Sequence, residues 1–204
     1  MENRFDIILV SHNRLDYLKR TIASLFISGA LHDCERFIIV DNDSTEEGVQ
    51  QFLQDLKKEY RVFLVLSPEN KGWAAAVNNG LALSRAPYLL LLNNDLEVSF
   101  EFHKKMLEVF KEHYDIGILG VWKHTSHGLG KLQSNTFRET DDVPAVGWML
   151  PKSAMEKVGM IEERGVCLTK GGNGEDSNYV QRMKLAGYLT GVTKEDVATH
   201  ITGY

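Results

Sequence analysis

Leu89–Val98, LLLLNNDLEV, opens on a short, uninterrupted apolar run, YLLLL with Tyr88 before it, and turns abruptly polar at Asn93, Asn94 and Asp95. A strand that is apolar at every position has to be covered on both faces, so it belongs inside a sheet layered by helices rather than at an edge. Its carboxylate then emerges at the carboxyl end of the strand, where open α/β sheets bind their ligands. The same transition recurs along the chain. Phe5–Val10 runs into Ser11, His12 and Asn13; Phe37–Val40 runs into Asp41, Asn42 and Asp43; and a late GGNGED loop is followed by His200. Polar groups delivered repeatedly to one edge point to an enzyme with a phosphate-bearing ligand.

Between the strand-like runs the periodicity changes. Leu15, Leu18, Ile22 and Leu25 mark one helical face, and Val49, Phe52, Leu53 and Leu56 another. Trp73–Arg85 is alanine-rich and helix-prone, Glu101–His113 carries Phe102, Met106 and Phe110 at helical spacing, and Val62–Leu66 and Ile116–Val121 read as further strands. This alternation predicts an α/β fold with a mainly parallel central sheet and helices on both faces. Trp122–Val143 reads as loops with an edge hairpin, Val146–Leu150 as a strand, Lys152–Val158 as a helix and Gly165–Gly174 as a mobile glycine-rich loop. Glu175–Ala186 then reads as a helix and Tyr188–Val192 as a strand. No repeat or linker interrupts the pattern, so 1–204 is expected to be one domain, with a nucleotide-binding half over about 1–120 and an acceptor half over about 121–204.

A formal net charge of −5 excludes a basic field for nucleic acid or anionic lipid. An anionic ligand is therefore expected to be held by a metal or by helix N-termini. Cys34 and Cys167 stand far apart and in no paired motif, as reduced thiols in a cytosolic protein do. No apolar stretch reaches the length of a membrane span. The opening MENRFDIILV lacks the long apolar region of a signal peptide, so the expected location is the cytoplasm, with peripheral membrane association as an extension.

Asp95, with neutral oxygens on Asn93 and Asn94 beside it, suits a hard cation that keeps waters and substrate phosphates in its shell. One carboxylate is few ligands, and His200 is the candidate for a second, because Val197–His200 is β-prone and would return the imidazole to the sheet's edge. Nitrogen beside oxygen favours manganese over magnesium. The remaining histidines form no metal-binding spacing and are expected to be mostly exposed. Glu175 and Asp176 open a helix, where acids oppose the positive end of the dipole; alternatively one is a general base beside a closing loop. Asp43 or Ser44 reads as a helix cap, leaving Asp41 for a ligand. In the Pro68–Trp73 connection, with Lys71, Gly72 would let a ligand reach the backbone, while Ala74, Ala76 and Gly80 keep the next helix thin around polar Asn78. Neither a Walker loop nor a GxGxxG fingerprint occurs.

Taken together these segments resemble family 2 glycosyltransferases with the GT-A fold. VSHNRLDYLKRTIASL is similar to the family's first strand, nucleotide loop and helix, and IIVDNDST to the next strand, whose Asp41 would read the base. NKGWAAAVNNG matches an Asn-x-Gly-x-small-x-small-x-Asn-x-Gly pattern, and LLLLNNDLEV stands where an Asp-x-Asp metal motif normally sits, with Asn93 replacing the first Asp. GWMLPKSAMEKVGMIEE resembles the acceptor-side strand and helix, GEDSNYVQRMKLAGY the catalytic-base helix, and HITGY the late metal-binding segment. The resemblance implies an inverting enzyme that moves a sugar from a nucleotide diphosphate donor, a UDP- or dTDP-sugar, to a glycan, lipid-linked or other hydroxyl acceptor, as in polysaccharide biosynthesis.

The implied residues are Asp176 as base with Glu175 as its nearest competitor, and Asp95 with His200 on Mn2+ or Mg2+. Ser11, His12, Asn13, Asp41, Lys71, Gly72, Asn78 and Asn94 would hold the nucleotide. Trp148 would stack on a sugar face or fill the core. The chain ends soon after His200, as a minimal or trimmed catalytic domain would. Two rivals stay open: a sugar nucleotidyltransferase, which would want a glycine- and arginine-rich phosphate loop near the N-terminus, and a nucleotide-sugar-binding module without catalysis.

Overall fold

The computed structural model describes residues 4–121, 131–132, 136–141, 143–163 and 174–201. The first apolar run forms β1 (Phe5–Ser11), buried along its whole length. It is followed by α1 (Leu15–Ile27), a single helical turn α2 (Ala30–Asp33), β2 (Arg36–Asp41), α3 (Val49–Glu59), β3 (Val62–Leu66) and α4 (Trp73–Leu81). The YLLLL run is β4 (Tyr88–Asn93), and the chain turns at Asn94 and Asp95 into β5 (Leu96–Val98). Then come α5 (Phe102–Glu112), β6 (Ile116–Gly120), β7 (Lys131–Leu132), β8 (Phe137–Glu139) and β9 (Gly147–Pro151). The described chain ends with α6 (Lys152–Val158), α7 (Glu175–Leu185), β10 (Leu189–Thr193) and β11 (Ala198–His200).

Among the described residues the main sheet has the order β3-β2-β1-β4-β9-β6-β10-β8-β7, and β11 with β5 forms a separate small sheet. β3, β2, β1 and β4 are mutually parallel, as the alternation of periods required. β9 lies antiparallel between β4 and β6, and the expected hairpin, β7 with β8, closes the far edge. The strand order reverses at β1, which has β2 on one side and β4 on the other. In such sheets the crevice outside the carboxyl ends at the reversal is the place for a ligand. Register sets the polar residues there: Ser11 pairs with Asp41, and Val10 with Asn93.

Alternate residues of one strand feed two cores. Ile7 and Leu9 face the cluster of Leu18, Leu25, Met106 and Phe110, under α1 and α5. Ile8 and Val10 face Val77, Tyr179 and Met183, under α4 and α7. Each fully buried large apolar side chain contributes roughly 1.5–3 kcal/mol, so both faces of β1 are costly to expose. α4 rests close to the sheet because its inner residues are small: a Cβ on Gly80 would stand 2.4 Å from Ile8 Cγ2.

The histidines depart from expectation. His103 is buried and pairs through Nε2 with Asp33 at 2.9 Å. Hydrogen bonds from His32 and His103 hold the Asp33 carboxyl down to about 2. Cys34 is a free thiol that burial pushes up to about 12, and Cys167 lies outside the described residues. Among the described residues no helix is long and apolar enough to cross a membrane.

Candidate active site

Two loops meet at the carboxyl ends of β1 and β2. Asn13 and Arg14 both adopt left-handed backbone, φ 54° and 58°, a conformation that non-glycine residues occupy only when their surroundings impose it. Here the surroundings are the loop after β2. Asn13 Oδ1 accepts hydrogen bonds from the amides of Thr45 and Glu46 at 2.8 and 2.9 Å, and the Asn13 amide donates to Ser44 Oγ at 2.7 Å. The carboxylate of Glu46 accepts in turn from the amides of Arg14 and Leu15. Ser44 does not cap α3, whose N-cap is Gly48. It ties down Asp41 instead, donating its amide to Oδ2 at 3.1 Å and its hydroxyl to Oδ1 at 2.5 Å. Asp41 is therefore buried and oriented rather than free, with lone pairs left for a ligand because a carboxylate accepts about four hydrogen bonds. The Ser11 hydroxyl is buried and makes no protein hydrogen bond. His12 Nδ1 donates to the Asn42 carbonyl at 2.9 Å, and its Nε2 accepts from the Asn13 side-chain amide at 3.3 Å.

The turn between β4 and β5 carries the carboxylate. Asn94 Nδ2 donates to the Asn13 carbonyl at 2.9 Å, which fastens this turn to the β1 loop. Asp95 is buried, and its backbone carbonyl accepts from Ile201 at 2.8 Å. β11 returns not to the main sheet, as expected, but to β5, with His200 opposite Leu96. The result is the anticipated pair: His200 Nε2 lies 3.2 Å from Asp95 Oδ2. The same oxygen accepts from Arg14 Nη1 at 2.8 Å, while Asp95 Oδ1 is buried without a hydrogen-bond partner. An unpartnered buried carboxylate oxygen beside an imidazole is a donor set that fits a divalent cation. No group of three His, Cys, Asp or Glu suited to a metal exists among the described residues, so the protein would supply few ligands and leave the shell open for water and phosphate.

The third component is the N-terminus of α4. Gly72 opens it at φ 92°, and no side chain of its own segment caps it. Glu175 does so from 101 residues away, with Oε2 accepting from the Ala74 amide at 3.1 Å. The atom facing Gly72 is thus Glu175 Oε1, 3.6 Å from where a Cβ would stand; glycine is needed for its φ. α7 is thereby docked at the strand edge. Asp176, next to Glu175, accepts only a local hydrogen bond, from the Ser177 amide at 2.7 Å. Trp73 Nε1 donates to Asn93 Oδ1 at 2.9 Å, tying the start of α4 to the end of β4. Asn42 completes the frame, donating from Nδ2 to Asn70 Oδ1 at 2.8 Å and to the Gly72 carbonyl at 3.1 Å.

Three expected residues have other partners. Lys71 is exposed and pairs with Glu69 at 3.0 Å. Asn78 pins the segment after α6, donating to the Ile161 carbonyl at 2.8 Å and accepting from its amide at 3.2 Å. Trp148 is fully buried, with Nε1 donating to the Val143 and Pro144 carbonyls and its ring against Trp73 and Tyr179. It fills the core and presents no face to a sugar. The 165–174 loop, except Gly174, lies outside the described residues. Arg14, Asn42 and Trp73 join these strand ends as well, through partners that pattern reading passed over. Arg14 carried a usable signal, a cation directly after a strand-end loop in an acidic chain.

The family model described as Glycosyl transferase family 2 matches residues 6–169, which include the carboxyl ends of β1, β2 and β4 and the N-terminus of α4 but not α7, β10 or β11. A poly-beta-1,6-N-acetyl-D-glucosamine synthase of Staphylococcus epidermidis is 25% identical over 130 residues, covering 62% of this chain and 31% of the relative. TuaG, a Bacillus subtilis glycosyltransferase named for teichuronic acid biosynthesis, is 32% identical over 107 residues, covering 52% of this chain and 41% of the relative. The chain thus spans well under two thirds of these relatives. Among solved structures, mannosyltransferase PcManGT of Pyrobaculum calidifontis, in complex with GDP-Man and Mn2+, superposes with a TM-score of 0.74 at 13% identity, covering 98% of this chain and 57% of that one. S. aureus TarS 1-349 in complex with UDP superposes with a TM-score of 0.72 at 15% identity, covering 96% and 59%. The likeness of fold agrees with the match of sequence: this chain belongs to glycosyl transferase family 2.

Proposed function

We propose that this chain transfers a sugar, with inversion, from a nucleotide diphosphate sugar to an acceptor hydroxyl. The observation that carries the reading is the convergence of Asp95, on the β4–β5 turn, with His200, on β11, beyond the strand ends where Glu175 docks the helix bearing Asp176 onto α4. The nucleotide end of the donor lies against Asp41, the Ser11 hydroxyl and the His12–Asn13 loop, whose backbone is already fixed by Ser44–Glu46. Asp95 and His200 would hold a divalent cation, Mn2+ or Mg2+, whose charge would offset that of the departing diphosphate. In the transfer the acceptor oxygen forms its bond to the anomeric carbon as the bond to the diphosphate oxygen breaks. The diphosphate leaves with the electron pair, and Asp176 takes the acceptor's proton. Glu175 is held by the Ala74 amide and serves to place its neighbour. The UDP and GDP-Man complexes of the fold neighbours support a nucleotide-sugar donor, and the bacterial relatives support a glycan or lipid-linked acceptor.

The test begins with a melting-temperature screen of nucleotide sugars with Mn2+, because a ligand of the folded state raises its stability. The donor so found is incubated with acceptors and the products are identified. Release of nucleoside diphosphate is expected. Pyrophosphate would mark a nucleotidyltransferase, and donor binding without turnover across a broad acceptor panel would mark a binding module. Asp176→Asn is expected to lower transfer at least about 10²-fold while donor affinity stays near that of the parent.

A further inference from the structure

Arg14 stands where a cation would have to compete with it. Its Nη1 is 2.8 Å from Asp95 Oδ2, the oxygen that also faces His200 at 3.2 Å. The contact joins residues 81 positions apart and is held through the backbone. Left-handed Asn13 and Arg14 are clasped by Ser44, Thr45 and Glu46, so the loop is over-determined in a conformation it would not choose alone. The two partners are unequally buried: the Asp95 side chain is 9% exposed and the Arg14 side chain 52%. A buried carboxylate without a counter-charge is strongly disfavoured. A guanidinium cannot lose its charge to make room for a metal ion and has to move away. Arg14, half in solvent, is able to do so.

Building on the cation reading of Asp95 and His200 above, we propose that Arg14 is the resident counter-charge of this site, which neutralises Asp95 until a divalent cation displaces it and thereby couples cation binding to nucleotide binding. Without nucleotide, an arriving cation has to break the Arg14–Asp95 pair and leaves two positive groups around one carboxylate. With a nucleoside diphosphate present, the displaced guanidinium gains an anionic partner that its forked donors suit. Cation and nucleotide then favour each other's binding reciprocally, as linkage demands.

The test is calorimetric titration of Mn2+ into the full chain, with and without saturating UDP, for the parent, Arg14→Gln and Arg14→Lys. Arg14→Gln is expected to bind Mn2+ about tenfold tighter than the parent without UDP, and the gain in Mn2+ affinity on adding UDP shrinks by a similar factor. Arg14→Lys, which keeps the charge, stays on the parent's side of that difference. A melting curve checks folding, and Arg14→Met replaces Arg14→Gln if the latter does not fold. Unchanged or weaker Mn2+ binding by the uncharged variant without UDP overturns the proposal while leaving the cation site in place. Absence of Mn2+ binding in every protein, with UDP and without, overturns the cation reading and the proposal together.

Discussion

Asp95 has two positively polarised groups on one oxygen and none on the other, an asymmetry that an isolated surface ion pair would not need. It is best understood beside Asn93, which on the family resemblance replaces the first Asp of an Asp-x-Asp motif. The Asn93 side-chain oxygen is engaged by the Trp73 indole, so it anchors α4 rather than adding a carboxylate. The acidic pair on α7 divides in the same way. Glu175 supplies the cap that α4 lacks, and removing such a cap costs about 0.5–2 kcal/mol. Glu175→Ala is therefore expected to lower the urea midpoint by a corresponding amount. Asp176→Asn, which loses only a local contact, is expected to stay within about 0.5 kcal/mol of the parent. Equal midpoints for Glu175→Ala and the parent would show that the Ala74 contact contributes nothing. In transfer assays the order reverses, because Glu175→Gln still offers an oxygen to Ala74 whereas Asp176→Asn cannot take a proton.

At the scale of elements, α4 is the piece on which the proposed site depends, since its N-terminus meets β4 through Trp73, α7 through Ala74 and the loop after β2 through Gly72. Its closeness to the sheet rests on Gly80. Gly80→Ala would gain about 1 kcal/mol of helix propensity but push a methyl into Ile8, and overpacking of this kind costs about 1–3 kcal/mol. A net loss of stability in urea unfolding is expected; a gain would show that α4 can lift off the sheet without penalty. The small residues of this helix were legible in the sequence, as were β1, β2 and β4, because continuous apolar runs ending in polar residues leave few other arrangements. The direction of β9 was not legible, since a buried strand reads the same either way. Nor was the separate β5–β11 sheet, whose pairing partners are remote in sequence. That Asp95 and His200 would meet was legible from residue chemistry. Of the two readings of Trp148 the structure takes the core one, and the present partners of Asn78 and Lys71 were not legible, because a polar or aromatic residue near a motif carries no record of which backbone group or ring it meets. That Ser44 would orient Asp41 through both oxygens was not legible either, though each keeps a lone pair for a ligand.

For the molecule as a whole the decisive quantity is charge. On the proposed reading a chain of net charge −5 has to hold a nucleoside diphosphate beside Asp41 and Asp95, while Lys71 pairs with Glu69. Arg14 is already paired with one of those carboxylates. The simplest source of further positive charge is a divalent cation on Asp95 and His200, and donor binding should then depend on it. The measurement that bears on this most directly is calorimetric titration of UDP into the parent and Asp95→Ala, each with and without Mn2+. The parent is expected to bind UDP tightly only when Mn2+ is present, and Asp95→Ala to lose that dependence and bind weakly in both conditions. UDP binding of equal affinity with and without Mn2+ in the parent would contradict the assignment of Asp95 and His200 as the cation site.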